Sequence, residues 1–140
     1  MNYILQLIKV RSKIKVKKLQ YFKEVIQMVK RNRKTLILTS IITLLPILAG
    51  MILWNKLPNT MAIHFGLCND ANMFSSKIVG VIGLPLILLI IHLFSAFVTA
   101  KTPRKQNISE KMYMLVLWIV PCISIIISAL IYSYNIGINI

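Results

Sequence analysis

Three stretches without Lys, Arg, Asp or Glu divide the chain, at residues 35–54, 78–100 and 112–134. Each has the roughly 20 residues that a helix needs to cross a hydrocarbon core of about 30 Å. The pattern therefore predicts three spanning helices. Between the first two lies residues 55–77, the only polar, turn-rich passage of any length after residue 35. It has an extended-looking Met61–Ala62–Ile63–His64–Phe65 core and a turn cluster from Gly66 to Asn72, then leaves through Ser75, Ser76 and Lys77. Asn, Asp and Gly at that density form turns, because short polar side chains bond the local backbone or tolerate positive φ. The expectation is a structured loop with about one short strand or extended arm. Residues 101–111 form a second, shorter polar connection. Ahead of the spans, from Lys15 onward, Leu19, Phe22, Ile26 and Val29 recur at helical spacing with lysines between them. That spacing predicts a basic amphipathic helix lying on a membrane surface.

Composition agrees with the pattern. The chain has 140 residues, 57% of them hydrophobic and 14% charged, and a mean hydropathy of +0.75, far from the balance of a water-soluble domain. The net charge of +14 would ordinarily suggest nucleic acid, but its distribution argues otherwise. Eleven of the 17 Lys and Arg precede residue 35, against the single acid Glu24. A basic block beside a spanning run is an orientation signal and a contact for anionic lipid, so no nucleic-acid partner is expected. Lys and Arg number eleven before the first span and four in residues 101–111, against two in residues 55–77 and none after the third span. The positive-inside rule then places the N-terminus and the 101–111 loop in the cytoplasm, and residues 55–77 and the C-terminus outside a multi-pass plasma-membrane protein. The fold class is an all-α integral membrane protein: three transmembrane helices, a structured extracytoplasmic loop and a basic amphipathic N-terminal helix. Its parts are a cytoplasmic segment 1–34 and a membrane domain 35–134. Met28 and the basic run after it would themselves make an ordinary cytoplasmic start, so residues 1–27 read as an over-long start or a lineage-specific extension.

Few residues could carry chemistry. Each span has a proline, Pro46, Pro85 or Pro121. In the orientation just given, all three fall at about 12–15 Å below the outer face, counting 1.5 Å per residue. Each removes an intrahelical hydrogen bond, so a shared layer of kinks is expected, opening a shallow cavity under the outer loop. His92 is the one ionisable side chain deep in a span. It shares a helical face with Ser95 and Thr99 and points at the bundle interior, toward a partner such as Thr39, Thr43 or Ser124. No span holds an Asp or Glu that would make a proton relay, so an interhelical hydrogen bond is the expected role. In the loop, His64, Cys68, Asp70 and Asn72 are of types that bind zinc, yet their spacing matches no established motif, and an ordinary capped turn is expected instead of a metal. Cys68 and Cys122 are too few for a disulfide framework. Without a catalytic triad, a phosphate-cradling glycine loop or a zinc-protease helix motif, neither an enzyme nor a cofactor is indicated.

Residues 45–94 carry a more specific pattern. A span ending at Trp54 leads to Leu57–Pro58, then Ile63–His64–Phe65, a turn, Ser76–Lys77, and a second span containing Gly83–Leu84–Pro85. This resembles the bacterial membrane domain of unknown function that forms the N-terminal part of Sdp-type immunity proteins, and the likeness extends over about residues 36–134. The turn departs from that pattern: Asn69, Asp70, Ala71 and Asn72 replace a Gly, an acid or amide, a Pro and an Asp. The resemblance implies resistance to a secreted peptide toxin outside the cell and, inside, the holding of a repressor protein at the membrane. The characterised members are longer, with further spans.

The expected function is thus peptide-toxin immunity or sensing by binding, without catalysis. The ligand-binding candidates are His64, Phe65, Asp70, Asn72 and Lys77 in the outer loop, and His92, Ser95 and Thr99 are the intramembrane polar group. An accessory or assembly subunit of a larger membrane complex is the alternative. A homo-oligomer is a further expected partner state, and a path across the bilayer at His92 would need one.

Overall fold

The computed structural model describes residues 2–66, 70–101 and 110–137. Its helices are α1 (Asn2–Arg31), α2 (Arg33–Ile52), α3 (Leu84–Lys101) and α4 (Glu110–Ile136); a hairpin of β1 (Thr60–Phe65) and β2 (Ala71–Ser76) joins α2 to the π turn Val79–Gly83 that leads into α3. Among the described residues three segments are long and apolar enough to cross a membrane: Arg33–Ile52, Val79–Lys101 and Lys111–Ile136. They agree with the three uncharged runs to within about two residues. The chain is a membrane protein on that evidence. The 102–109 part of the short polar connection lies outside the described residues, as does Cys68.

The three spans pack on one another, and the small and polar residues lie where they meet. Thr39, Thr43, Pro46 and Gly50 are the buried positions of α2, and Pro85, His92, Ala96 and Ala100 those of α3, while most large aliphatic side chains of the spans face outward. That inversion of a soluble core is what a hydrocarbon solvent allows, because close backbone approach and interhelical hydrogen bonds drive association there. Gly50 shows how close the approach is. A Cβ built on it would come within 2.5 Å of Val81 Cγ1 and 2.8 Å of the Tyr132 hydroxyl oxygen.

Two apolar clusters cap the ends of the bundle. At the hairpin end Leu57, Met61, Val81, Ile131 and Tyr132 are buried together, with Trp54, Ile63, Phe65 and Leu84 against them. At the other end Val25 of α1 is buried with Ala96, Ala100, Tyr113 and Leu117. The second cluster fixes the course of α1. Val25 lies fourteen residues before Thr39, about 21 Å along a straight helix. It nevertheless packs on Ala96 and Ala100, only four and eight residues from His92, the residue bonded to Thr39. The chain therefore turns at Asn32, whose side-chain amide donates to Met28 O at 3.1 Å, and α1 crosses under the ends of α3 and α4. Tyr21 hydroxyl donates to the carbonyl of Lys101 there. The helix is continuous from Asn2, longer than the stretch that periodicity alone outlines, and its residues 6–23 are exposed.

The region expected to hold one short strand or extended arm holds an antiparallel pair, so the all-α description covers the spans and α1 but not this loop. Thr60 pairs with Ser76, Met61 with Ser75 and Ala62 with Phe74, and the register slips on either side of His64. The hairpin is seated by β1: Met61 is fully buried, its sulfur close against Gly80 of the π turn.

Candidate functional site

Two polar arrangements stand out, one inside the bundle and one on the hairpin. Inside, Thr39 Oγ1 donates to Thr35 O at 2.8 Å. Its single proton being used there, the hydroxyl accepts from His92 Nε2–H at 3.0 Å. His92 Nδ1 is then the unprotonated nitrogen, buried without a hydrogen-bond partner. Nearer the hairpin, Thr43 donates to Thr39 O, Ser124 donates to Thr43 O at 2.9 Å, and Tyr132 hydroxyl donates to Pro46 O at 3.0 Å. These bonds form a polar seam that ties α2 to α3 and α4. Ser95 and Thr99 do not join it. Both are half-buried and donate to carbonyls of their own helix, and Ala96 and Ala100 take the inward positions after His92.

The three prolines are all buried at helix contacts. Pro46 and Pro121 lie inside α2 and α4, whereas Pro85 falls in the first turn of α3. Pro85 has no N–H for Val81 O, and the chain accommodates this by widening: Leu84 N–H reaches back five residues to Val79 O. A groove of about 220 Å³ opens between α2 and α4, lined by Leu45, Pro46, Ala49, Ile125, Ser128, Ala129 and Tyr132. Its walls include no hairpin residue, so this groove is not roofed by the outer loop.

The five loop candidates divide among four tasks. His64 and Asn72 meet: His64 Nδ1 donates to Asn72 Oδ1 at 2.7 Å across the hairpin, which leaves Nε2 as the acceptor. Both residues are exposed. Phe65 turns instead onto Tyr134 of α4, edge to face at 4.7 Å between ring centres. Lys77 folds back on the end of α2, where its ammonium donates to Trp54 O at 3.0 Å and lies 5.2 Å from the Trp54 ring centre. Asp70 is exposed, and its carbonyl closes the turn by accepting from Gly66 N. Among the described residues no group of three or more His, Cys, Asp or Glu is placed to hold a metal ion, and the Cys68 part of the zinc-type set is not described.

A paired contact of the hairpin comes from a residue outside the sequence-based set. Asn135, the last residue but one of α4, accepts from Ala62 N at 2.9 Å and donates to Ala62 O at 2.9 Å, so one side chain acts as a strand neighbour to β1. It also donates to Ile131 O. The only signal for it in the sequence is an amide directly after the interfacial pair Tyr132 and Tyr134. The hairpin is thus a rigid platform on the bundle end, with His64, Asn72, Met73 and Phe74 on its exposed surface.

Set against known proteins, this geometry coincides with a recognised module. The family model described as Domain of unknown function (DUF1648) matches residues 41–89, a segment that runs from the third turn of α2 through the hairpin and the π turn into α3. No curated protein and no solved structure matches the chain. The fold and the match together describe a small membrane protein in which one segment, residues 41–89, is similar to that domain of unknown function.

Proposed function

We propose that the chain is a non-catalytic receptor for an extracellular peptide, acting in immunity or sensing as Sdp-type proteins do. In this reading the hairpin faces the outside, the N-terminus and α1 face the cytoplasm, and α1 lies on anionic lipid or meets a repressor protein there. The observation that carries it is the rigid, exposed hairpin at the centre of the matched segment, held by Asn135, Lys77 and the Phe65–Tyr134 contact. A peptide that lodges at a bilayer surface is amphipathic, and Met73 and Phe74 beside His64 offer it apolar and polar contacts at one place. No reacting group is needed. The orientation rests on the excess of Lys and Arg before the first span and beside residues 101–111.

The test is survival of a strain sensitive to a secreted Sdp-type peptide, with the intact chain, with His64→Ala and with no chain. Protection by the intact chain that falls at least tenfold with His64→Ala is expected; killing unaffected by the intact chain would discard the reading. The α2–α4 groove favours a second reading, an accessory subunit that receives a partner's helix against Ala49, Ser128 and Ala129. Purification in a mild detergent separates the two, since an obligate subunit brings a stoichiometric partner.

A further inference from the structure

The face by which α1 meets the bundle runs on past it. Residues taken in alternate steps of three and four stay on one side of a helix, and Tyr21, Val25, Met28 and Asn32 are so related. All four are engaged. Tyr21 donates to Lys101 O, Val25 is buried with Ala96, Ala100, Tyr113 and Leu117 while Met28 packs against them, and Asn32 is buried at the turn. Because α1 is one unbroken helix, the same steps toward its start continue this face through Lys18, Ile14, Arg11 and Leu7. These four are exposed, and they lie beyond Tyr21, where α1 reaches the last residue of α3. The helix ahead of that point is about 29 Å long. Lys9 and Lys23 stand on the opposite face.

We infer that Leu7, Arg11, Ile14 and Lys18 form a row that binds the headgroups of anionic phospholipids in the bilayer beside the bundle. The occupant follows from continuity. The face that carries Val25 and Met28 is pressed on the ends of two membrane-crossing segments, so past the edge of the bundle the same face meets the lipid that surrounds them. Charge agrees, since eleven Lys and Arg precede residue 35 against the single acid Glu24. Leu7 and Ile14 suit the boundary between acyl chains and headgroups. Arg11 and Lys18 alternate with them at the same depth, where a cation needs an anion beside it. A lipid phosphate supplies one, met by a guanidinium fork at Arg11 and by an ammonium on a long flexible stem at Lys18. The assignment rests on the lipid part of the reading above, gives it one face of α1, and is separate from peptide binding at the hairpin.

The test uses the full chain with Ile14→Cys in a Cys68→Ser, Cys122→Ser background, labelled with a polarity-sensitive fluorophore and reconstituted in vesicles. Emission should rise at least twofold when phosphatidylglycerol replaces part of the phosphatidylcholine. Arg11→Gln with Lys18→Gln should abolish most of that rise. Lys9→Gln with Lys23→Gln, which removes the same charge from the opposite face, should keep most of it. Equal loss in the two pairs means diffuse attraction and overturns the inference. Emission indifferent to phosphatidylglycerol, as expected of a face kept for a protein partner, overturns it as well, and so does an equal rise produced by inorganic phosphate over phosphatidylcholine alone. No peptide is present, so these outcomes are distinct from that of the killing test.

Discussion

The two ends of the bundle are closed by different means. At the hairpin end, apolar burial is supplemented by directed bonds: Asn135 to both backbone groups of Ala62, Tyr132 to Pro46, and Lys77 to Trp54. At the other end α1 is held through the packing of its last turns, chiefly Val25, Met28 and Val29, with the Tyr21 bond to Lys101 added. Directed bonds specify one orientation, whereas apolar contact tolerates sliding and replacement. The hairpin is therefore built to hold a shape and α1 to lie against whatever surface it meets.

The contrast is sharpest at Gly50. Gly50→Ala brings a methyl group onto Val81 and Tyr132, of which the first is fully buried and the second is held by Pro46 O. Neither can move aside cheaply, so a loss toward the upper end of about 1–3 kcal/mol is expected, seen as a lower midpoint of thermal unfolding in detergent. Wild-type stability in this variant would mean that the hairpin end is as forgiving as the other.

Asn135→Ala comes next. It strips two bonds from a buried backbone, at a cost of about 2 kcal/mol. Hydrogen exchange should show residues 60–65 and 71–76 opening while the protection of α2 and α3 is unchanged; uniform loss along the chain would break the picture of a locally clamped hairpin. A smaller effect is expected midway between the ends. A double-mutant cycle on Thr39→Val and His92→Phe should give a coupling of about 0.6 kcal/mol, the usual scale for a hydrogen bond between membrane helices. The smallest concerns α1. Removing residues 2–18 should change unfolding of the spans by less than about 0.5 kcal/mol. The same truncation should abolish most of the binding of a peptide of residues 1–34 to vesicles containing phosphatidylserine, each Lys near such a surface contributing about 1 kcal/mol.

These differences also separate what the residues disclose from what they do not. The spans are legible because hydrocarbon solvent imposes one requirement on every position, and residues 35–54, 78–100 and 112–134 meet it by composition alone. The burial of His92 and its pairing with Thr39 follow from the cost of an isolated polar group at that depth. Ser95 and Thr99 mislead, because a hydroxyl has a carbonyl of its own helix within reach and needs no neighbour. β2 escapes detection because Ala71, Asn72, Ser75 and Ser76 have weak strand preference, and the pairing with Met61 and Ala62 overrides it. Asn135 escapes because its role depends on where residue 62 returns in space, across more than seventy positions of chain.

The π turn at Val79–Gly83 has a bearing on how the module can vary. Its extra residue is absorbed locally, so α3 keeps its angular phase relative to the platform above it. Losing one residue there would convert the wide turn to an ordinary α turn with the phase kept, whereas losing one from the regular part of α3 would swivel the platform by about 100° around the helix axis and carry Ala62 away from Asn135. Those five positions are thus where the chain can shed a residue without changing which side of the hairpin the spans present.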